Sequence, residues 1–206
     1  MKLAILGASG GTGRELVQQA LARGHEVSAL VRDPARSGFD PHPRLRLVRV
    51  DVYDPSSLRQ ALGADVTLLS ALGIGKGGRP GVLTAGARAV VAARPARVIW
   101  LGAFGTGQTA SQGGWAVRML LALVLGKEVP DKVEADTTVL RAGGTVFHAG
   151  PLGQGPVATT RRTVSPDDVP RRLFPAGVGR ATVAAAMLDE AESPRFTGAI
   201  AVPLAH

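Results

Sequence analysis

The sequence predicts an α/β fold with a doubly wound, mostly parallel sheet. Over residues 1–100, short apolar runs alternate with amphipathic helical patterns, as they do in βαβ units. Hydrophobic residues make up 45% of the chain but aromatic residues only 4%, so Ala, Val and Leu must form the core, as they commonly do in buried parallel strands. A length of 206 residues suits one domain with an ample core. We therefore expect a single domain over residues 1–206.

The elements of the first half follow from periodicity and from the residues that begin and end helices. Gly24 is a good residue to end the first helix, and Asp54-Pro55 supplies an N-cap and a first-turn proline for the second. The predicted strands are 3–6, 25–31, 45–50, 66–72 and 98–101, and the predicted helices are 12–23, 55–62 and 82–93.

The second half is predicted with the same rules. Residues 102–114 are small or hydroxyl-bearing and indicate a flexible loop, whereas 115–125 indicate an apolar helix that is buried in the fold or lines a subunit interface or a pocket. Proline-rich residues 152–178 predict a small, loop-rich C-terminal substrate lobe. The other predicted elements are a helix at 131–141, strands at 145–148, 161–164 and 199–202, and a helix at 180–191.

Composition excludes several classes of site. The absence of cysteine excludes disulfides and thiolate chemistry, and no His, Asp and Glu residues have metal-ligand spacing, so we expect no metal. The net charge of +8 comes from scattered residues typical of a solvated surface, which argues against nucleic acid as a partner. No apolar run could cross a bilayer, and the chain starts directly in a strand, so we expect a cytoplasmic protein without membrane contact.

A glycine-rich turn follows the first predicted strand and opens the first predicted helix. It reads Gly7-Ala-Ser9-Gly10-Gly11-Thr12-Gly13. Gly7 permits a tight exit from the strand, Gly10 admits a pyrophosphate close to the backbone, and Gly13 lets the helix pack near the sheet. The helix N-terminus offers N–H groups and partial positive charge to that anion. The turn predicts a Rossmann-type dinucleotide site.

The end of the second strand distinguishes the two nicotinamide dinucleotides. NAD-binding folds usually place an acidic residue about 20 residues past the turn, whereas NADP needs a cation for its 2′-phosphate. This chain has Arg32 there, with Arg36 or Arg14 able to assist. We therefore predict NADP(H) as cofactor; if Asp33 faces the ribose instead, NAD is preferred.

The next two strand ends belong to the same edge of the predicted sheet. Asp51 could accept from the adenine amino group while the Val52 N–H donates to the ring, or Asp51 could be an ordinary strand-end cap. The strand-four exit, Ala71-Leu72-Gly73, also lies where ligands gather in open parallel sheets.

Together, GASGGTGRELVQQALARGHEVSALVRDP, VDVYDPSSLRQAL and DVTLLSALG resemble the atypical short-chain dehydrogenase/reductase superfamily. The resemblance is greatest to its NAD(P)H-binding group of NmrA-like proteins and biliverdin-IXβ/flavin reductases. It implies that the glycine turn binds pyrophosphate, that Arg32 binds the 2′-phosphate, that Asp51 binds adenine, and that residues 70–73 line the cofactor.

The catalytic region departs from the usual Ser and Tyr-x-x-x-Lys pattern of short-chain dehydrogenases. Matching Lys132 to the motif lysine puts Glu128 at the tyrosine position, and the chain's only tyrosine is Tyr53. His148 stands where the family usually has Arg, and burial with hydrogen bonds is its expected role. The candidate catalytic residues are Lys132, which could touch the nicotinamide ribose, and the loop hydroxyls of Thr106, Thr109 and Ser111.

Two functions fit these residues best. The first is an NADP(H)-dependent reductase that transfers hydride to a small conjugated acceptor such as a flavin, quinone or tetrapyrrole, since the nicotinamide supplies the hydride. The second is a non-catalytic NADP(H)-binding redox sensor of NmrA type; a sugar-nucleotide epimerase ranks third. The expected partner is a small-molecule substrate, and the expected assembly is a monomer or homodimer.

Overall fold

The computed structural model describes residues 1–75, 79–110, 128–170 and 176–205. The helix predicted at 115–125 lies outside this part of the chain. The first half contains β1 (Lys2–Leu6), α1 (Gly11–Ala22), β2 (Glu26–Val31), β3 (Leu45–Arg49), α2 (Pro55–Ala61), β4 (Thr67–Ser70), α3 (Val82–Ala93) and β5 (Arg97–Ala103). The second half contains α4 (Val129–Arg141), β6 (Thr145–Ala149), β7 (Leu152–Gly153), β8 (Arg161–Val164), β9 (Val178–Gly179), α5 (Arg180–Glu192) and β10 (Ile200–Ala205).

Eight strands form one sheet in the order β3-β2-β1-β4-β5-β6-β10-β8. All neighbours are parallel except β8, which runs antiparallel to β10. Helices α1 and α5 pack together on one face, and α2, α3 and α4 pack on the other. This confirms the predicted doubly wound, mostly parallel Rossmann-type sheet. The strand order reverses beside β1, where open parallel sheets form a ligand crevice.

Two buried layers hold the helices to the sheet. Leu16 and Val17 of α1 pack with Leu3 and Ile5 of β1 on one face. On the other face, the large Trp100 side chain of β5 is 1% exposed and belongs to the α3 and α4 layer. Ala and Val are small enough to let the helices pack closely on the sheet. This close packing makes the sheet rigid, including the strand ends that surround the site.

Most predicted boundaries shift by one or two residues, and the differences that bear on the site concern β4, β5 and the region 152–178. Strand β4 ends at Ser70, before the predicted 72, and the backbone of the next two residues lies against Gly7 of the glycine turn. Strand β5 extends to Ala103, so the loop predicted to begin at 102 begins later. Within the loop-rich region 152–178, β8 joins the main sheet while β7 and β9 pair in a separate two-stranded sheet. Its role as a substrate lobe stays a prediction.

Candidate cofactor-binding site

The turn after β1 requires glycine at both of its ends. Gly7 has φ +75°, and a Cβ there would lie 2.7 Å from the Ala71 carbonyl oxygen. A Cβ on Gly13 would collide with the Gly7 carbonyl oxygen. The Gly10 N–H donates to that same Gly7 oxygen at 3.0 Å and closes the turn. The turn is therefore a cradle of bare backbone, because a side chain at either end would collide with the backbone that forms it.

The cradle leads directly into the N-terminus of α1. Its N-cap is Gly10, which offers no side-chain cap, and its first turn contains no acidic residue. Ser9, Gly10 and Gly11 are exposed, whereas Thr12 is buried. The first N–H groups of the helix, at the positive end of its dipole, therefore lie at the exposed cradle, and no carboxylate caps them. The arrangement fits a diphosphate, as predicted from the glycine motif.

Two exposed arginines stand at the end of β2. Arg32 and Arg36 are both exposed, and Pro34–Arg36 form one turn of 3₁₀ helix. The Asp33 carboxylate accepts the Ala35 N–H at 3.1 Å and caps that turn. One oxygen of Asp33 is thus used locally, while both guanidinium groups are accessible to an anion at the strand end.

Arg14, which the sequence suggested as a possible phosphate ligand, forms its hydrogen bonds within the protein. Its guanidinium donates to the carbonyl oxygens of Ser37 at 2.6 Å and Gly38 at 3.2 Å, and it lies 5.1 Å from the centre of the Phe39 ring. These contacts tie the segment after β2 to helix α1. Arg14 therefore supports the loop beside Arg32 and Arg36.

The ends of β3 and β4 complete the rim. Asp51 is exposed, and its Oδ1 accepts the Tyr53 N–H at 3.0 Å, which makes it the strand-end cap considered above. Adenine binding by Asp51 and Val52 stays a prediction. At the end of β4, the Ala71 N–H donates to the Leu6 carbonyl at 2.9 Å, and the backbone of Ala71 and Leu72 lies against Gly7. Gly73 follows in open space, so this strand end borders the cradle as expected.

A buried polar chain lies beneath the loop after β5. His148 Nδ1 is 2.8 Å from the Thr109 hydroxyl, and His148 Nε2 is 3.1 Å from Asp136 Oδ2. Thr109 also accepts the Gly105 N–H at 2.8 Å. His148 is 1% exposed, Asp136 is 5% exposed, and Asp136 Oδ1 has no hydrogen-bond partner among the described residues. The buried, hydrogen-bonded role expected for His148 is confirmed.

The loop itself differs from the flexible polar segment that was expected. Thr106 is 2% exposed and donates to the Ala103 carbonyl oxygen at 2.8 Å, and Phe104 is also buried. The first part of the loop is packed because its hydroxyls bond to its own backbone and to His148. Thr106 and Thr109 therefore face protein partners, and their catalytic role stays a prediction. Ser111 lies outside the described residues.

The region that would match the Tyr-x-x-x-Lys motif begins α4. Glu128 and Lys132 are both half-buried, and the neighbouring Asp131 carboxylate accepts the N–H groups of Leu83 at 3.1 Å and Thr84 at 2.8 Å. Asp131 thus fastens the start of α4 to the start of α3. The Tyr53 hydroxyl donates to backbone carbonyls of Arg79 and Pro80, so the only tyrosine is used near the end of β3.

No helix among the described residues has the length and apolar character needed to span a bilayer. The same residues contain no cluster of three or more His, Cys, Asp or Glu side chains arranged to hold a metal ion.

The family comparison agrees with this geometry. The family described as NAD(P)H-binding matches residues 7–194. The chain belongs to that family. The match starts at the first residue of the cradle and includes α5, and it confirms the resemblance stated from the sequence at the level of the NAD(P)H-binding group.

Individual relatives are more distant. An uncharacterized chloroplastic protein of Arabidopsis thaliana is 42% identical over 67 residues, which are 31% of this chain and 24% of that protein. The chain therefore spans only about a quarter of the length of this relative.

Solved structures share the fold over nearly the whole chain. ChuY, an anaerobillin reductase from Escherichia coli O157:H7, superimposes with a TM-score of 0.77 at 19% identity, covering 99% of this chain and 97% of that one. A wide-type short-chain dehydrogenase/reductase from Veillonella parvula in complex with NADP has a TM-score of 0.78 at 16% identity, covering 98% and 93%. At these identities the likeness establishes the fold alone.

Proposed function

We propose that this protein is an NADP(H)-dependent oxidoreductase that reduces a small conjugated acceptor. The observation that carries the proposal is the pairing of the bare glycine cradle at α1 with two exposed arginines, Arg32 and Arg36, at the end of β2. The cradle suits the diphosphate that every nicotinamide dinucleotide carries. The arginines suit the additional 2′-phosphate that only NADP carries.

The position of Asp33 favours NADP over NAD. An NAD-specific site needs a carboxylate that accepts from both ribose hydroxyls. Here the carboxylate nearest to Arg32 caps the turn Pro34–Arg36 through the Ala35 N–H. Arginine binds phosphate through a planar fork of charged donors, and Arg14 holds the adjoining segment in place. A fold neighbour in complex with NADP is in accord with this preference.

The acceptor class follows from the residue at the usual tyrosine position. Bound nicotinamide supplies hydride, while the protein orients it and excludes water. Glu128 stands where a carbonyl reductase has its tyrosine, so an acceptor that needs a positioned phenol is disfavoured. A flavin, quinone or tetrapyrrole can take its proton from water or from a nearby hydroxyl. One fold neighbour is named a reductase, which supports this class.

The test is consumption of NADPH absorbance with a panel of flavins, quinones and linear tetrapyrroles. We expect turnover with at least one acceptor and slower turnover when NADH replaces NADPH at equal concentration. The control is Gly13→Val, whose side chain would strike the Gly7 carbonyl and deform the turn, so that it should bind no dinucleotide. Cofactor binding without turnover by any acceptor would count against the enzyme proposal.

The second candidate is a non-catalytic NADP(H) sensor. Glu128 at the tyrosine position favours it, as does the internal bonding of the Thr106 and Thr109 hydroxyls. A sensor must bind the oxidised and reduced cofactor with different affinity and transmit that difference to a partner. Equal dissociation constants for NADP and NADPH, measured by titration calorimetry, would eliminate it.

The remaining expectations concern partners and location. We propose a small-molecule substrate as the partner of the enzyme. Assembly as a monomer or homodimer, the absence of nucleic acid and membrane partners, and a cytoplasmic location stay predictions from the sequence.

A further inference from the structure

We infer that Arg180, the first residue of α5, binds the diphosphate of the cofactor and completes the anion site at the glycine cradle. This inference rests on the proposed nicotinamide dinucleotide function. It assigns a cationic ligand to a site that otherwise consists of backbone N–H groups. The sequence motif does not contain this residue, because Arg180 is separated from the cradle by most of the chain.

The fold brings the starts of two helices together. Helices α1 and α5 lie side by side on one face of the sheet, and Gln19, in the second half of α1, donates to the Ala181 carbonyl oxygen at the start of α5 at 2.9 Å. Gly11 begins α1, and Arg180 begins α5. The start of α5 therefore lies alongside α1, and its first side chain can extend towards the cradle.

The Arg180 side chain crosses directly over Gly11. A Cβ built on Gly11 would lie 2.9 Å from Arg180 Cδ, 3.0 Å from Nε and 3.8 Å from Cζ. Gly11 is exposed, and the absence of a side chain there leaves room for the arginine stem. The guanidinium is thus held within reach of any phosphate that binds the first N–H groups of α1.

The electrostatic environment of Arg180 is unfavourable without an anion. A cation at a helix N-terminus opposes the helix dipole, and Arg180 both begins α5 and extends its side chain over the first residue of α1. Neither α1 nor α5 has an acidic residue in its first turn. In the described residues, Arg180 forms no ion pair, and its one hydrogen bond is from Nη1 to the Gly153 carbonyl oxygen at 3.1 Å.

That single bond leaves donors for a ligand. A guanidinium carries five N–H donors and can keep one neutral acceptor while it binds an anion with the others. Gly153 belongs to β7, which pairs with β9 directly before α5. The bond therefore anchors Arg180 in place over the cradle. A bound diphosphate would provide an anion that neutralises the positive charge of the guanidinium and the partial positive charge of the helix N-termini.

The test compares two ligands on the full chain. NADPH contains the diphosphate, whereas adenosine 2′-monophosphate contains the 2′-phosphate and lacks the diphosphate. We expect Arg180→Ala to raise the dissociation constant of NADPH by about tenfold, the effect of losing charge-assisted hydrogen bonds. The same change should leave the dissociation constant of adenosine 2′-monophosphate within about twofold. The ligand-free variant should melt no lower than the wild type, because a repulsive charge has been removed.

The matched control is Arg141→Ala, which removes one exposed positive charge at the far end of α4. It should leave both dissociation constants unchanged. If wild-type protein binds NADPH and Arg180→Ala binds it equally well, the inference is wrong and the proposed function stands. Equal weakening of both ligands with a lower melting temperature would show a purely structural arginine and would also overturn it. No NADPH binding by the wild type would overturn the proposed function and, with it, this inference.

Discussion

Arg32 is the residue on which the choice of cofactor depends. It is exposed at the end of β2, beside a carboxylate that caps its own turn. A guanidinium in this position interacts with the 2′-phosphate of NADP and has no counterpart group in NAD. Its contribution should therefore appear only in the affinity for the phosphorylated dinucleotide.

We predict that Arg32→Ala raises the dissociation constant of NADPH by roughly 30-fold, or about 2 kcal/mol, because charge-assisted bonds to the phosphate are lost. The dissociation constant of NADH should change little. Both are measured by quenching of tryptophan fluorescence or by calorimetry. Asp33→Ala is the comparison variant, which loses a turn cap and a negative charge but keeps both guanidinium groups. An equal loss of affinity for the two dinucleotides would contradict the assignment of Arg32.

His148 and Asp136 form the other residue-scale feature with a measurable consequence. Since both are buried, replacing His148 leaves the Asp136 carboxylate buried without its partner. We predict that His148→Leu lowers the free energy of unfolding by about 3–5 kcal/mol, measured by urea denaturation. Adding Asp136→Leu should restore most of the loss, because the unpaired charge is gone. A loss below about 1 kcal/mol, the typical effect of a single mutation, would show that the pair is not needed.

At the scale of elements, α3 depends on α4 for its N-terminal cap. The N-cap of α3 is Gly81, which has φ +75° and no capping side chain. Asp131 of α4 supplies the missing acceptor for the N–H groups of Leu83 and Thr84. Helix α2 differs, since its own Asp54 caps it, and the Ser56 hydroxyl and N–H hold the pKa of that carboxyl below its usual range.

We predict that Asp131→Ala lowers the free energy of unfolding by about 1 kcal/mol, as loss of a helix N-cap does. Asp131→Asn should lower the free energy of unfolding by less, because the amide oxygen can still accept one N–H.

Because Lys132 adjoins Asp131, the Asp131→Ala variant should also lose turnover with the acceptor found in the NADPH assay. Chemical denaturation and steady-state kinetics test the two effects, and unchanged values in both would refute the link between α3 and α4.

At the scale of the whole molecule, most of the fold could be predicted from local patterns of apolar residues, glycine and proline in the sequence. The helix Val82–Ala93 and the strand Arg161–Val164 have the bounds predicted from apolar periodicity and punctuation by glycine and proline. The glycine cradle was also predictable, because its glycines are close together in sequence and follow a predicted strand. Arg180 and the chain from Thr109 to His148 and Asp136 were not, because their contacts join residues far apart in sequence. The available signal for Arg180 was a cation at the start of a helix, where the dipole disfavours it.

The place of β10 between β6 and β8 has a consequence for assembly. During synthesis, β8 leaves the ribosome before β10, the strand to which it bonds. Strand β8 therefore stays unpaired until β10 has been synthesised. Because β8 bonds only to β10 in the main sheet, it can join that sheet only when β10 is in place, whereas β3 to β6 can pair without either strand. Arg161 and Arg162 on β8 are exposed, and charged side chains on an unpaired edge strand disfavour its pairing with other chains.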